Sequence, residues 1–123
     1  MPELPEVETV ARQLAPHVEG RTLRRVEILD PRLGDEGVAA LTHRPVAQVR
    51  RIGKEVALRL PPTADGAPPE WLLIHLRMTG RLLADTAPEP ADRAHLRAVL
   101  HLDRGHVRFV DPRRFGVMRT VPG

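Results

Sequence analysis

Two amines and a small group of carboxylates are the residues of this chain best suited to covalent chemistry. Pro2 follows the initiator methionine. A small residue there normally allows Met1 to be removed, which exposes a secondary amine. An N-terminal amine titrates near pH ~8 and is partly unprotonated at neutral pH, unlike a lysine. Its attack on a sugar aldehyde or C1′ gives an iminium, the intermediate of covalent amine catalysis. Glu3 and Glu6 crowd carboxylates around that amine at the start of a helical pattern. Proline and glutamate also start helices well, and taken alone the first nine residues read best that way. The second amine is Lys54, the single lysine among 19 basic residues. Beside Gly53 in a tight turn, it would be held outward by rigid strands as a phosphate contact or a poised amine. An ordinary exposed turn lysine is the plainer alternative.

Two further turns carry unusual residues. His75-Leu76-Arg77-Met78-Thr79-Gly80 places a methionine in a strand-ending turn. Flexible apolar side chains that project from a basic surface can wedge between base pairs, although a methionine also fills gaps in a core. His75 reads as a hydrogen-bonded strand residue rather than a metal ligand. In Asp111-Pro112-Arg113-Arg114-Phe115-Gly116, Asp-Pro starts a turn, two arginines can reach phosphates or a base edge, and Phe115 is one of three aromatics in the chain. An aromatic beside paired arginines suits stacking or intercalation. A phenylalanine folded back onto the sheet under solvated arginines fits the same residues.

Composition narrows the classes. A chain of 123 residues has room for one domain, here 1–123, and 41% hydrophobic with 28% charged residues suits a soluble fold. The absence of cysteine excludes disulfides and Cys-ligated zinc, and the six histidines show no metal-binding spacing, so no metal and no cofactor are expected in this chain. Neither a signal-peptide pattern nor a membrane-spanning run is present, which makes a cytoplasmic protein the default. Net charge is +3, but residues 93–119 hold seven Arg against two Asp. Such a basic segment suits an anionic partner, nucleic acid first, or else a solvated face in an arginine-rich proteome.

The elements that must position these residues follow from periodicity. Leu4, Val7, Val10, Ala11, Leu14 and Val18 form a helical stripe that Pro16 should end or kink near residue 15, with Gly20 as a left-handed exit. Strands are predicted over 22–29, 46–51, 55–60, 71–76, 81–85, 96–102, 106–110 and 117–121. Residues 32–44 read as a loop with one helical turn over 38–42. The fold class is therefore mainly β (α+β): an antiparallel two-layer β-sandwich of about eight strands, with an N-terminal helix and room for one further short helix. The abrupt end at Pro122-Gly123 hints at a truncated chain.

Four stretches together, PELPEVET at the start, GK at 53–54, HLRMTG at 75–80 and DPRRFG at 111–116, resemble the N-terminal domain of the formamidopyrimidine-DNA glycosylase family. The resemblance implies a base-excision repair glycosylase and abasic-site lyase acting on oxidised purines in double-stranded DNA, as a monomer, located with the nucleoid when bound. It implies that Pro2 is the nucleophile, Glu3 the general acid/base near the deoxyribose ring oxygen, and Glu6 a pocket residue. Lys54 would bind phosphate beside the lesion and assist elimination. Met78, Arg113 and Phe115 would fill the gap left by the flipped base, with Arg113 meeting the orphaned partner base, while Arg114 and His75 would hold phosphates. The sequence departs from the pattern at Arg77, where many members have Gly. It also lacks the family's second half, with its helix–two-turn–helix and Cys-ligated zinc finger. As a whole molecule it would bind DNA weakly and salt-sensitively, with residual activity. Two alternatives stand beside this: a catalytically idle DNA-binding fragment, and an endonuclease VIII-like enzyme for oxidised pyrimidines. Leu4 and the DPRRFG loop argue against the latter.

Overall fold

The N-terminal helix forms because its apolar residues recur on one face. In a computed structural model that describes residues 4–123, α1 (Leu4–Val18) buries Val7, Ala11, Leu14 and Val18. Met1, Pro2 and Glu3 lie outside the described residues. The sequence predicts an end near residue 15, yet the helix runs through Pro16 to Val18. Pro16 forfeits one backbone donor in the last turn. Against that loss, Val18 is fully buried and the Glu19 N–H still donates to the Ala15 carbonyl at 2.8 Å. Gly20 then turns the chain at φ +79.

The remaining elements are β1 (Thr22–Ile28), α2 (Glu36–Ala39), β2 (Thr42–Pro45), β3 (Gln48–Ile52), β4 (Glu55–Leu60), β5 (Glu70–His75), β6 (Arg81–Asp85), β7 (Leu96–Leu102), β8 (His106–Val110) and β9 (Val117–Pro122). One antiparallel sheet has the order β2-β1-β7-β8-β6 and the other β3-β4-β5-β9. The expected mainly-β two-layer fold is present, with nine strands among the described residues rather than about eight. Phe109, Leu23, Leu58, Leu60, Leu72, Ile74 and Leu100 form the centre of the core between the sheets. The helix α1 packs against β3, β4 and β6, and α2 against β1 and β9, so each helix fills one open side of the sandwich.

The ninth strand, β2, lies where the sequence suggests a loop with a helical turn. Asp35 caps α2 through the Val38 N–H at 3.1 Å, so the helical turn starts earlier and the chain is free to pair as a strand from Thr42. Only Arg44 of this edge strand is buried, and a charged residue in the core-facing position conceals the alternation. Its guanidinium is held by Glu70 Oε2 at 2.6 Å and by the carbonyls of Leu60, Pro61 and Pro68. Arg44 thereby joins the edge of one sheet to the proline-rich β4–β5 loop of the other.

Candidate nucleic-acid interface

Antiparallel register carries the distant motifs to one end of the sandwich. Ile52 pairs with Glu55, Glu55 with His75, and His75 with Val117, forming one row across the end of the β3-β4-β5-β9 sheet. The Gly53-Lys54 turn, the 76–80 turn and the 111–116 loop all leave from this row. Glu8 in α1 approaches Arg51 at 3.6 Å, while Glu19 accepts the Val49 N–H at 2.8 Å. The helix therefore lies along β3 with its N-terminal part toward the Lys54 turn, and exposed Glu6 of its first turn belongs to that side.

The Lys54 turn is built by Gly53 at φ +60, and the Arg51 Nη1 group donates to the Gly53 carbonyl at 2.9 Å. Lys54 itself is exposed. Across the row, Glu55 is paired with Arg119 at 2.9 Å, which neutralises the one acid among these strand ends.

His75 is half-buried, and its Nδ1 accepts the Arg77 N–H at 3.2 Å, which leaves the proton on Nε2. Burial pushes its pKa below the ordinary value of 6.5, and the positive charges of Arg77, Lys54 and Arg119 push the same way. His75 is thus a neutral donor rather than a cation at pH 7. Arg77 sits at φ +57, a conformation that costs glycine nothing. That backbone geometry explains why glycine suits this position.

Asp111 organises the loop that follows β8. Only 1% exposed, its carboxylate accepts the Thr79 hydroxyl, the Arg113 N–H at 3.2 Å and the Gly116 N–H at 2.7 Å. Arg113 lies 5.2 Å over the exposed Phe115 ring, a cation–π contact that keeps both side chains on the outer side of the loop. Arg114 faces elsewhere. At φ +61, it donates from Nε and Nη2 to the two carboxylate oxygens of buried Asp30, at 2.6 and 2.9 Å. The sequence assigns Arg114 to phosphates, whereas here two of its donors are committed to a loop-clamping ion pair. The Arg114 hydrogen bonds lower the Asp30 pKa to about 2, despite the opposing effect of burial.

The structure therefore brings together Lys54, His75, Met78, Arg113 and Phe115, with Glu6 on the adjoining helix turn, while the Arg114 side chain turns to Asp30. Pro2 and Glu3 are outside the described residues. Among those described, the large exposed apolar side chains are Leu29, Ile52, Met78 and Phe115, and all four lie at this end. Exposed apolar groups concentrated among arginines mark an interaction surface. Sequence reasoning misses the anchors Asp30, Thr79 and Asp111. A signal was present: Asp-Pro-Arg occurs at 30–32 and again at 111–113, and in both copies the aspartate Oδ1 accepts the arginine N–H two residues on.

Comparison with known proteins matches this arrangement to one family. The model of the formamidopyrimidine-DNA glycosylase N-terminal domain matches residues 1–118. A formamidopyrimidine-DNA glycosylase of Ruegeria pomeroyi is 42% identical over 96% of this chain and 44% of the relative. The crystal structure of the Lactococcus lactis enzyme bound non-covalently to DNA containing an abasic site superposes with a TM-score of 0.83 at 26% identity, over 98% of this chain and 45% of that one. A complex of the same bacterium's enzyme with DNA containing an oxidised pyrimidine gives a TM-score of 0.82 at 28% identity, over 98% and 44%. The chain thus spans less than half the length of these relatives. Three motifs gathered at one end of a matching sandwich, and a family model covering nearly every residue, place the chain in the formamidopyrimidine-DNA glycosylase N-terminal domain family.

Proposed function

We propose that this chain is the catalytic, lesion-recognising part of a base-excision repair DNA glycosylase and abasic-site lyase whose substrate is duplex DNA carrying an oxidised purine. The observation that carries this reading is the gathering of exposed Met78 and Phe115 with Arg113 and Lys54 at one end of the fold. Such a set combines wedges for a base stack with cations for its backbone. Chemistry at a glycosidic bond requires the nucleotide to leave the stack. Met78, Arg113 and Phe115 would occupy the vacated space, Lys54 would grip the flanking phosphate, and His75 would donate its neutral Nε2–H to another.

The Pro2 amine would then attack C1′ as the bond from C1′ to the base nitrogen breaks. The amine proton passes to the departing base and the ring opens at the C1′–O bond, giving an iminium between Pro2 and the sugar. Glu3 would protonate the departing ring oxygen, and Glu6 would line the pocket beside it. In the lyase step this iminium would lose a proton from C2′ and expel the 3′ phosphate from C3′, assisted by Lys54.

Borohydride trapping on an abasic-site duplex tests the proposal. The expected product is a covalent protein–DNA adduct that peptide mass assigns to Pro2. An adduct on Lys54, or none from protein shown by intact mass to begin at Pro2, overturns the amine mechanism. The second outcome favours a module that binds DNA without catalysis. Duplexes carrying an oxidised purine or an oxidised pyrimidine, compared side by side, decide the lesion class.

A further inference from the structure

We propose that the Asp111 carboxylate and the Thr79 hydroxyl lock the Met78 turn and the Phe115 loop into one rigid wedge, so that the two apolar side chains enter a duplex as a unit. The inference rests on the reading of this end as a lesion-recognition surface, and it assigns Asp111 and Thr79 as positioning residues that touch no DNA themselves.

Met78 and Phe115 stand on separate turns, 57% and 48% exposed. The ring contact of Phe115 is with Arg113 of its own loop. What fixes the turns lies beneath them. The carboxylate of Asp111 spends one oxygen on Thr79 and the Arg113 N–H, and the other on the Gly116 N–H. Its own backbone is held at both polar groups: its N–H donates to His95 O at 3.0 Å and its carbonyl accepts Arg97 Nε at 2.8 Å. Asp111 is therefore anchored to the sheet, and Thr79 hangs the second turn from it.

A second, independent contact joins the same two turns. The buried Phe109 ring is their common floor: a Cβ added to Gly116 would come within 2.3 Å of its Cζ, and one added to Gly80 within 3.1 Å. Both glycines are thus pressed onto one ring, Gly80 from the Met78 turn and Gly116 from the Phe115 loop. The Arg114–Asp30 pair clamps the loop to the end of β1, in the same sheet as β7 and β8. Two wedges that must fill one gap in a base stack gain from a fixed separation, because ordering them on binding otherwise costs affinity.

The test uses the 123-residue chain with Thr79→Val, which keeps shape and removes the hydroxyl, and Thr79→Ser, which restores it. One readout needs no DNA: amide hydrogen exchange at Arg113 and Gly116, in the loop opposite the substitution. The other is the ratio of affinities for an abasic-site duplex over an undamaged one. Thr79→Val should raise exchange at both amides about tenfold and lower the abasic preference by a similar factor. It should also make the effects of Met78→Ala and Phe115→Ala additive where they are coupled in the parent chain. Thr79→Ser should behave as the parent. Exchange within about twofold of the parent in Thr79→Val overturns the coupling. Raised exchange with an unchanged abasic preference overturns its role in recognition. A parent chain with no abasic preference overturns the proposed function instead, and the exchange readout still decides whether the turns are locked.

Discussion

His75 shows how a residue chosen for its basicity can serve a polyanion surface without charge. Its Nδ1 is taken by the Arg77 N–H, and burial with three neighbouring cations lowers its pKa below 6.5, so its histidinium form is scarce at pH 7. Lys54 and Arg113 contribute differently, as cations that release counterions when they meet phosphate. Salt titrations of duplex binding at pH 7.5 separate the two behaviours. Lys54→Ala or Arg113→Ala should reduce the slope of log affinity against log salt by about 1 each. His75→Ala should weaken binding at every salt concentration and leave the slope unchanged.

At the scale of the element, the 111–116 loop depends on a carboxylate 81 positions away from its first residue, since Arg114 is held by Asp30. The Asp30 pKa of about 2 lies below its ordinary value of 3.8, so the protonated form is favoured by the unfolded chain. The stability this pair supplies is present above pH ~4 and is lost as pH falls toward 2. Arg114 is partly solvent-exposed, which screens the interaction and brings the expected contribution to about 1–2 kcal/mol. Denaturant melts of the parent chain and Asp30→Asn should differ by that amount at pH 7 and converge by pH 2. The same loop marks the limit of what the sequence discloses. Alternation at Val107 and Phe109 reveals β8, and the turn residues reveal the loop. The partner of Arg114 is set by sheet order, which brings the end of β1 beside the start of β7. Local pattern also fails at β2, because a buried arginine occupies the place of an apolar residue. At α1 it fails differently, since burial of Val18 outweighs the proline.

Across the whole molecule, the two ends of the sandwich have different work. The motif end exposes its apolar side chains and cations. The opposite end is sealed by Arg44, whose guanidinium joins Glu70, the last carbonyl of β4 and two carbonyls of the β4–β5 loop. Arg44→Ala leaves those acceptors unpaired, and urea denaturation should show a loss of about 3 kcal/mol. Abasic preference per folded molecule should not change, because no motif residue among those described lies at that end.

The row Ile52–Glu55–His75–Val117 bears on how such a chain tolerates change in length. The Lys54 turn, the Met78 turn and the 111–116 loop each border a strand end of this sheet, so a residue gained or lost within β3, β4, β5 or β9 would turn the strand over and shift the adjoining turn to the wrong face or level. The β4–β5 loop leaves from the other end, held near its ends by Arg44 at Leu60, Pro61 and Pro68 and by the Gly123 N–H at Pro69. Insertions and deletions between those grips shift nothing in the row. Lengthening that loop in this chain is therefore expected to leave the row in place, whereas lengthening one of the four strands would displace it.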